Sequence, residues 1–326
     1  MDPALFLADL EQKPARLADL ATALRSGDHW GVSSADAARS WLFLGMGSSA
    51  YAAQVAAARL RLHGIRAVAE LAASDLLPRA DADTTVVAIT ASGVSAETLD
   101  ACRRLKAHDL GARLVAMTNV VDSPVVELCD AVVPMWAGPE AGGVACRSFQ
   151  HTLALLLALE TRLLGAGHDC GPVPDLLDRS ADASAHLLET VEAWLPAVSD
   201  ALLGPDGTHV VAPARRLSSA WQSALMLREG PRVPAYGCET ADWSHVDVYL
   251  TKTTDYRMLL LAGSSWEAEL LRWIRERGST LVVVGDDIEG AAYTLRYPHD
   301  HDDDVRLLSE TLVAELMAAR AWASQD

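Results

Sequence analysis

The sequence predicts an α/β protein made of two successive blocks of strand–helix units, each organised around a parallel sheet. Three observations carry this. Short apolar runs bounded by Gly, Pro and Asp alternate with long stretches of helical period, the pattern of parallel strands joined by crossover helices. A Gly- and Pro-rich stretch, "GAGHDCGPVPD" at 165–175, interrupts that pattern and reads as a linker. At 326 residues, half of them apolar, the chain is long enough for two cores. The expected domains are 1–168 and 169–326.

In the first block the periodicity predicts helices over 3–26 and 34–38, then strand "SWLFLGM" at 40–46 and helix 49–63. Strands follow at 66–71 and 84–90, with helix 95–109, strand 113–119, helix 123–128, strand 131–135 and a long helix 147–165. A helix over 175–202 opens the second block, followed by strand "THVVAPA" at 208–214 and helix 217–229. Strand 256–263, helix 265–278, strands 279–286 and 293–298 and helix 303–322 complete it. The two blocks are similar enough in order to suggest an ancient duplication.

A formal charge of −17 excludes nucleic-acid phosphate and anionic membrane surfaces as partners, since both need a basic footprint. No apolar run approaches the roughly 20 residues of a membrane span. The N-terminus "MDPALFLADLEQKPARL" has no basic start or small-residue cleavage site, so a cytoplasmic location is expected. Cysteines 102, 129, 146, 170 and 238 are scattered without a CxxC pair, which reads as reduced thiols and not as a disulfide framework or zinc site.

Two predicted strand-to-helix turns are glycine-bearing and rich in hydroxyls: "GMGSSA" at 45–50 and "TASGVS" at 90–95. Such turns present free N–H groups at a helix N-terminus, where the dipole favours an anion and Ser or Thr hydroxyls add donors. Gly47, Ser48, Ser49, Thr90, Ala91, Ser92, Gly93 and Ser95 are therefore candidate phosphate-binding residues. The serines also read as ordinary N-caps, and "GMGSSA" with Glu70 downstream reads as a partial dinucleotide fingerprint. The glycine-rich "AGPEAGGVACRSF" at 137–149, with Arg147, either closes over a ligand or turns the chain.

In the second block, "SALMLREGPRVPAYGCETADWSHVDV" at 223–248 runs from a helix end into a loop. Glu229 falls in the last turn, where a carboxylate faces the unfavourable end of the helix dipole. His245 follows sixteen residues later in a polar loop. The pair reads either as structural or as an acid–base couple. The run "PHDHDDD" at 298–304 reads as a solvated acidic turn capping the last helix, with a metal site as the alternative.

Taken together these segments resemble the sugar isomerase (SIS) domain proteins, in particular the isomerase half of glucosamine-6-phosphate synthase. "GMGSSA" is similar to the family's first phosphate turn and "TASGVSAET" to its second, S-x-S-G-x-T. "AGPEAGGVACRSF" resembles A-G-x-E-x-G-V-A-S-T-K-x-F. "SALMLREGPRVPAYGCETADWSH" resembles the G-A-L-K-L-K-E…G-E-L-K-H block, including its Glu-to-His spacing.

The resemblance implies two stacked flavodoxin-like SIS domains and a homodimer with sites near the subunit interface. It implies that Gly47, Ser49, Thr90, Ser92 and Ser95 hold a sugar phosphate, assisted by the N–H groups of Ala91 and Gly93. It further implies that Glu229 shuttles a proton between C1 and C2, and that His245, reaching in from the neighbouring subunit, handles ring opening. That chemistry needs one carboxylate with a raised pKa and neither metal nor redox cofactor.

Departures from the synthase pattern are also visible. Met226 and Ser244 stand where it has lysines, and Gln222 where it has a glutamate. The tail "MAARAWASQD" lacks a lysine, and no glutaminase segment with an N-terminal cysteine precedes the match. Isomerisation or amine release is therefore expected in place of synthesis: a glucosamine-6-phosphate deaminase/isomerase, with a fructosamine-6-phosphate deglycase or a non-catalytic sugar-phosphate sensor as alternatives.

Overall fold

The computed structural model describes the chain except residues 32–35, 37–38, 166–170 and 326. Helix α1 spans Pro3–Glu11, α2 Lys13–Ser26, β1 Ser40–Gly45, α3 Ser48–Leu62 and β2 Ala67–Leu71. Next come β3 (Thr84–Ile89), α4 (Ala96–Ala107), β4 (Arg113–Thr118), α5 (Pro124–Glu127), β5 (Ala131–Pro134) and α6 (Arg147–Leu164). They are followed by α7 (Val173–Glu189), α8 (Val191–Leu202), β6 (Thr208–Ala212), α9 (Leu217–Glu229), β7 (Ala235–Glu239) and α10 (Thr240–Trp243). The chain continues with β8 (Arg257–Leu261), α11 (Glu267–Arg277), β9 (Thr280–Val284), β10 (Tyr293–Leu295), α12 (Asp303–Ser309) and α13 (Thr311–Ala323).

The strands form two five-stranded parallel sheets, ordered β2-β1-β3-β4-β5 and β10-β9-β8-β6-β7. Central strands covered by helices on both faces are buried along their whole length and mostly apolar, and Thr84–Ile89 and Thr208–Ala212 are buried at every position. The α/β architecture read from the sequence is the observed one.

Two compact units divide the chain: an amino unit of Arg16–Glu140 and Arg147–Asp178, and a carboxyl unit of Met1–Ala15, Ala141–Cys146 and Arg179–Asp326. In the amino unit, Leu42, Leu44, Val86, Ala88, Leu114 and Ala116 pack with Ala101, Cys102 and Leu105 of α4. In the carboxyl unit, Met258, Leu260, Leu281 and Val283 pack with Leu270 and Ile274 of α11 and with Trp243. There too, Asp9 of α1 accepts the Gly142 N–H at 2.7 Å, and Phe6 lies against Trp322 of α13 with ring centroids 6.2 Å apart.

Several helices expected to be continuous are broken. The expected helix 3–26 ends at Glu11 and restarts at Lys13, with Pro14, which has no N–H to donate, in the first turn of the new helix. The stretch 175–202 divides at Thr190, whose hydroxyl bonds back to the His186 carbonyl at 2.7 Å. The stretch 303–322 divides at Glu310, which is buried against Arg216.

A strand was missed as well. Residues 235–239, read as loop, form β7 beside β6. Gly237 hides it by weakening the strand pattern and also makes it possible, because a Cβ there would fall 2.9 Å from the Ala220 backbone of α9. The expected strand 293–298 shortens to three residues. The expected helix 34–38, apart from Asp36, lies outside the described residues, as do residues 166–170 of the expected linker, Cys170 among them.

Candidate phosphate cup and the carboxylate helix

In the amino unit, β1 connects to β2 on one side and the chain then returns to place β3 on the other side, so the switch point of the sheet lies between β1 and β3. Crevices of open α/β sheets form there, outside the carboxyl ends of the strands. The two hydroxyl-rich turns leave those two ends: Leu44 pairs in register with Ala88, and both strands end one residue later. Residues 47–49 and 90–95, more than 40 apart in sequence, thus flank a single sheet edge.

The first turn is shaped by two glycines. A Cβ on Gly45 would fall 2.8 Å from Ser49 Cβ, so only glycine lets the start of α3 pack this close to the strand end. Gly47 adopts φ +50°, and its missing Cβ would point into open space. It is the N-cap of α3 and offers no side chain to satisfy the first helical N–H groups. Ser48 is buried and Ser49 half-buried.

The second turn is tied down from behind. Thr90 N–H donates to Met117 O at 3.0 Å, and the Ala91 carbonyl accepts from Asn119 N–H at 3.1 Å and Thr118 Oγ1 at 3.3 Å. Gly93, at φ +70°, donates its N–H to Thr90 O at 3.2 Å and accepts from Val125 N–H at 3.1 Å. Its N–H is therefore engaged inside the turn. Ser92 is exposed, while Ser95 is the N-cap of α4: its Oγ accepts from Thr98 N–H at 3.3 Å and donates to Glu97 at 2.9 Å. The Glu97 carboxyl is held below its ordinary range, first by its own backbone N–H and then by that hydroxyl. The N-cap reading therefore holds for Ser95.

Asn119 was not anticipated. Besides supporting Ala91, its side chain accepts from Ala137 N–H at 3.0 Å and donates to the Gly138 carbonyl at 2.7 Å. It ties the second turn to the start of the glycine-rich connection. An amide directly after an apolar strand is the only signal the sequence offers for it. In that connection Glu140 accepts from the N–H groups of Arg147 at 2.7 Å and Ser148 at 3.0 Å, capping α6.

In the carboxyl unit, Glu229 is the last residue of α9, half-buried, and Gly230 ends the helix with its N–H on Met226 O at 3.2 Å. His245 follows α10 on the far side of β7 in sequence, exposed, with its N–H on Asp242 O at 2.8 Å. Gln222, two turns before Glu229 on the same helix, is buried and donates to Ala145 O at 2.8 Å. The acidic run 298–304 is absorbed by pairing and capping: Asp300 binds Arg296, Asp302 caps α12, and His299 lies 3.0 Å from Asp182.

Parallel sheets with glycine-bearing turns at a switch point define a doubly wound α/β domain with a ligand crevice at the carboxyl ends of its strands. Residues 36–162 match the SIS domain profile, and the chain is homologous to the SIS-containing isomerase portion of glutamine–fructose-6-phosphate aminotransferase. Against that enzyme from Symbiobacterium thermophilum it is 29% identical over 260 residues, covering 74% of this chain and 42% of the relative. Against the one from Aeropyrum pernix it is 26% identical over 256 residues, 74% of this chain and 40% of the relative. The chain thus spans about 40% of the length of these curated relatives.

Among solved structures, the C-terminal domain of glucosamine-fructose-6-phosphate aminotransferase from Francisella tularensis superimposes with a TM-score of 0.80 at 16% identity, covering 98% of this chain and 96% of that one. Glucosamine-6-phosphate deaminase from Thermotoga maritima gives 0.75 at 17%, covering 98% and 95%. Tagatose-6-phosphate ketose/aldose isomerase from Escherichia coli gives 0.81 at 15%, covering 100% and 95%. At these identities the likeness is one of fold. No helix among the described residues is long and apolar enough to cross a membrane.

Proposed function

We propose that this protein is a sugar-phosphate isomerase of the amino-sugar kind, which converts glucosamine 6-phosphate and water into fructose 6-phosphate and ammonia. The observation that carries this reading is the pair of turns, 47–49 and 90–95, at the ends of the neighbouring strands β1 and β3. Their amides and hydroxyls suit a phosphate ester. Relatives named glutamine–fructose-6-phosphate aminotransferase (isomerizing), and a fold shared with a glucosamine-6-phosphate deaminase and a ketose/aldose isomerase, support it.

In this reading Ser49, Thr90 and Ser92 grip the phosphate, helped by the amides around Ser48 and Ala91. Glu229 takes the proton from C2 of the open-chain sugar and returns it at C1. The resulting C2 imine is hydrolysed by water, which releases the amine. His245 assists ring opening from a second subunit. The exposed Val246, Tyr249 and Leu250 that follow it give a dimer an apolar face to cover.

The test is incubation with glucosamine 6-phosphate while ammonia and fructose 6-phosphate are followed. Both should appear in equal amounts, and Glu229→Gln should lower turnover by about 10²–10⁴-fold, the range for loss of a general base, with phosphate-ester binding retained. Full activity in Glu229→Gln would overturn the mechanism. Release of an amino acid from a fructosamine 6-phosphate, with no ammonia from glucosamine 6-phosphate, would move the same carboxylate to deglycation.

A further inference from the structure

The two sheets share one strand order, β2-β1-β3-β4-β5 and β7-β6-β8-β9-β10, so the carboxyl unit has its own switch point between β6 and β8. Its loops carry different chemistry. Arg215 and Arg216 follow β6 in a 3₁₀ turn, and Gly263 follows β8. Gly263 has φ +123°, and a Cβ there would lie 2.8 Å from Arg306 Nη1, 3.0 Å from Arg216 Nη2 and 3.3 Å from Arg215 Nη2. Three guanidinium groups therefore converge on one strand end.

Their partners all come from the same chain. The Asp303 carboxylate bridges Arg215, through Nε and at 3.1 Å through Nη2, and Arg216 Nε at 3.1 Å. Glu310, fully buried, takes Arg216 Nη1. Arg306 donates to the strand-end carbonyls of Ala262 at 2.8 Å and Gly285 at 2.5 Å. The loop amides of Gly263 and Ser264, placed as the second turn's amides are in the amino unit, both donate to Glu267 Oε1.

Arg216 and Glu310 are sealed, whereas Arg215 and Asp303 are 48% and 35% exposed and reach solvent. Burial, reinforced by the neighbouring Arg216 and Arg306, lowers the Arg215 pKa, as expected where cations crowd.

We propose that the crevice at the ends of β6 and β8 is a second oxyanion site, filled from within by the Asp303 carboxylate, and that it takes a tetrahedral phosphate group once that carboxylate is neutralised. A phosphate would meet the same two guanidiniums that Asp303 now bridges, in the bidentate geometry arginine offers to both anions. The site is independent of the cup in the amino unit.

Equilibrium dialysis against inorganic phosphate tests it on four forms of the full chain: wild type, Asp303→Glu, Asp303→Asn and Asp303→Asn/Arg215→Ala. The cup contributes equally to all four and cancels. Asp303→Asn should bind one more phosphate per chain than the wild type, while Asp303→Glu and the double variant should not. Equal stoichiometry in Asp303→Asn and the double variant overturns the proposal.

Thermal melts guard against a poorly folded Asp303→Asn. Phosphate should raise its midpoint more than that of the double variant, by ligand linkage, and equal shifts would also overturn the site. Repeating the dialysis with fructose 6-phosphate distinguishes a crevice that admits a phosphate ester from one that admits only the free anion.

Discussion

Gly93 and Ser123 interlock: a Cβ on Gly93 would overlap both Cβ and Oγ of Ser123, so the second turn can exist only while residue 93 has no side chain. Ser123 itself is held by its hydroxyl bond to Val120 O at 2.5 Å. Gly93 also sits at φ +70°, where a side chain costs about 1–2 kcal/mol before any clash is counted. Gly93→Ala should therefore abolish phosphate-ester binding and lower stability by about 2–5 kcal/mol, the backbone cost plus overpacking. Urea denaturation and ligand titration check it. In a Ser123→Gly background the same substitution should cost less, since the backbone strain and a tight approach to Thr118 Oγ1, 3.2 Å away, remain.

Ser92 and Ser95 are two hydroxyls in one turn with different tasks. Ser95→Ala removes the cap on α4 and should cost about 1 kcal/mol of stability. Its effect on the Michaelis constant should be small, because the Ser95 proton already points to Glu97. Ser92→Ala removes an exposed hydroxyl and should leave the thermal midpoint unchanged while raising the Michaelis constant for a phosphate ester. The reverse pattern would show that the cap and the ligand had been assigned to the wrong serines.

This division of labour marks the limit of what the sequence discloses. Strand-to-helix alternation and the two Gly–Ser turns were legible because β3 is a short run of β-branched and apolar residues, buried at every position, and small hydroxyl residues and a glycine follow it. The adjacency of the turns follows from the observed strand order, which puts the switch point between β1 and β3. Asn119 was not, because nothing local distinguishes an amide that braces a turn from one that merely ends a strand. Nor was β7, whose Gly237 answers to a tertiary demand from α9 that outweighs strand propensity. The breaks at Thr190 and Glu310 were hidden by a helical pattern that continues through them. The three arginines around Gly263 come from segments about 40 to 90 residues apart, a convergence only the fold produces.

The first helix gives a sharper case. Periodicity joined residues 3–26, yet Lys13 reaches Glu315 of α13 as an ion pair with both side chains fully buried. Removing one partner of such a pair strands a charge in the interior and typically costs about 3–5 kcal/mol. Lys13→Met should lower stability by that amount, whereas Lys13→Met/Glu315→Leu should recover most of it, because two apolar groups replace two charges. Chemical denaturation of the two variants provides the measurement. An unstable double variant would mean that the pair contributes more than mutual neutralisation.

Acid should act on the carboxyl unit through Asp300 and Asp302. Burial opposes ionisation of Asp300, but Arg296, at 2.8 Å, together with the Tyr297 N–H and the Arg306 charge outweighs it and holds the carboxyl below its usual range. Asp302 is held low against the same opposing effect by Arg179 at 2.8 Å and the N–H groups of Asp304 and Val305. A folded pKa below the unfolded one means that the unfolded chain takes up protons first. The stabilisation is then fully present above the unfolded aspartate value of about 3.9 and is lost as pH falls through the lower folded values. Thermal midpoints should be flat from neutral pH down to about pH 5, about one unit above that unfolded value, and should fall steeply below it. Asp300→Asn should cost roughly 1–3 kcal/mol at neutral pH, the range for a hydrogen bond to a charged group, toward the lower end because Arg296 is half exposed. The same variant should flatten the acid limb, since the asparagine has no proton to gain. If its midpoint instead falls in parallel with the wild type through the acid range, the low-pH loss arises elsewhere in the chain.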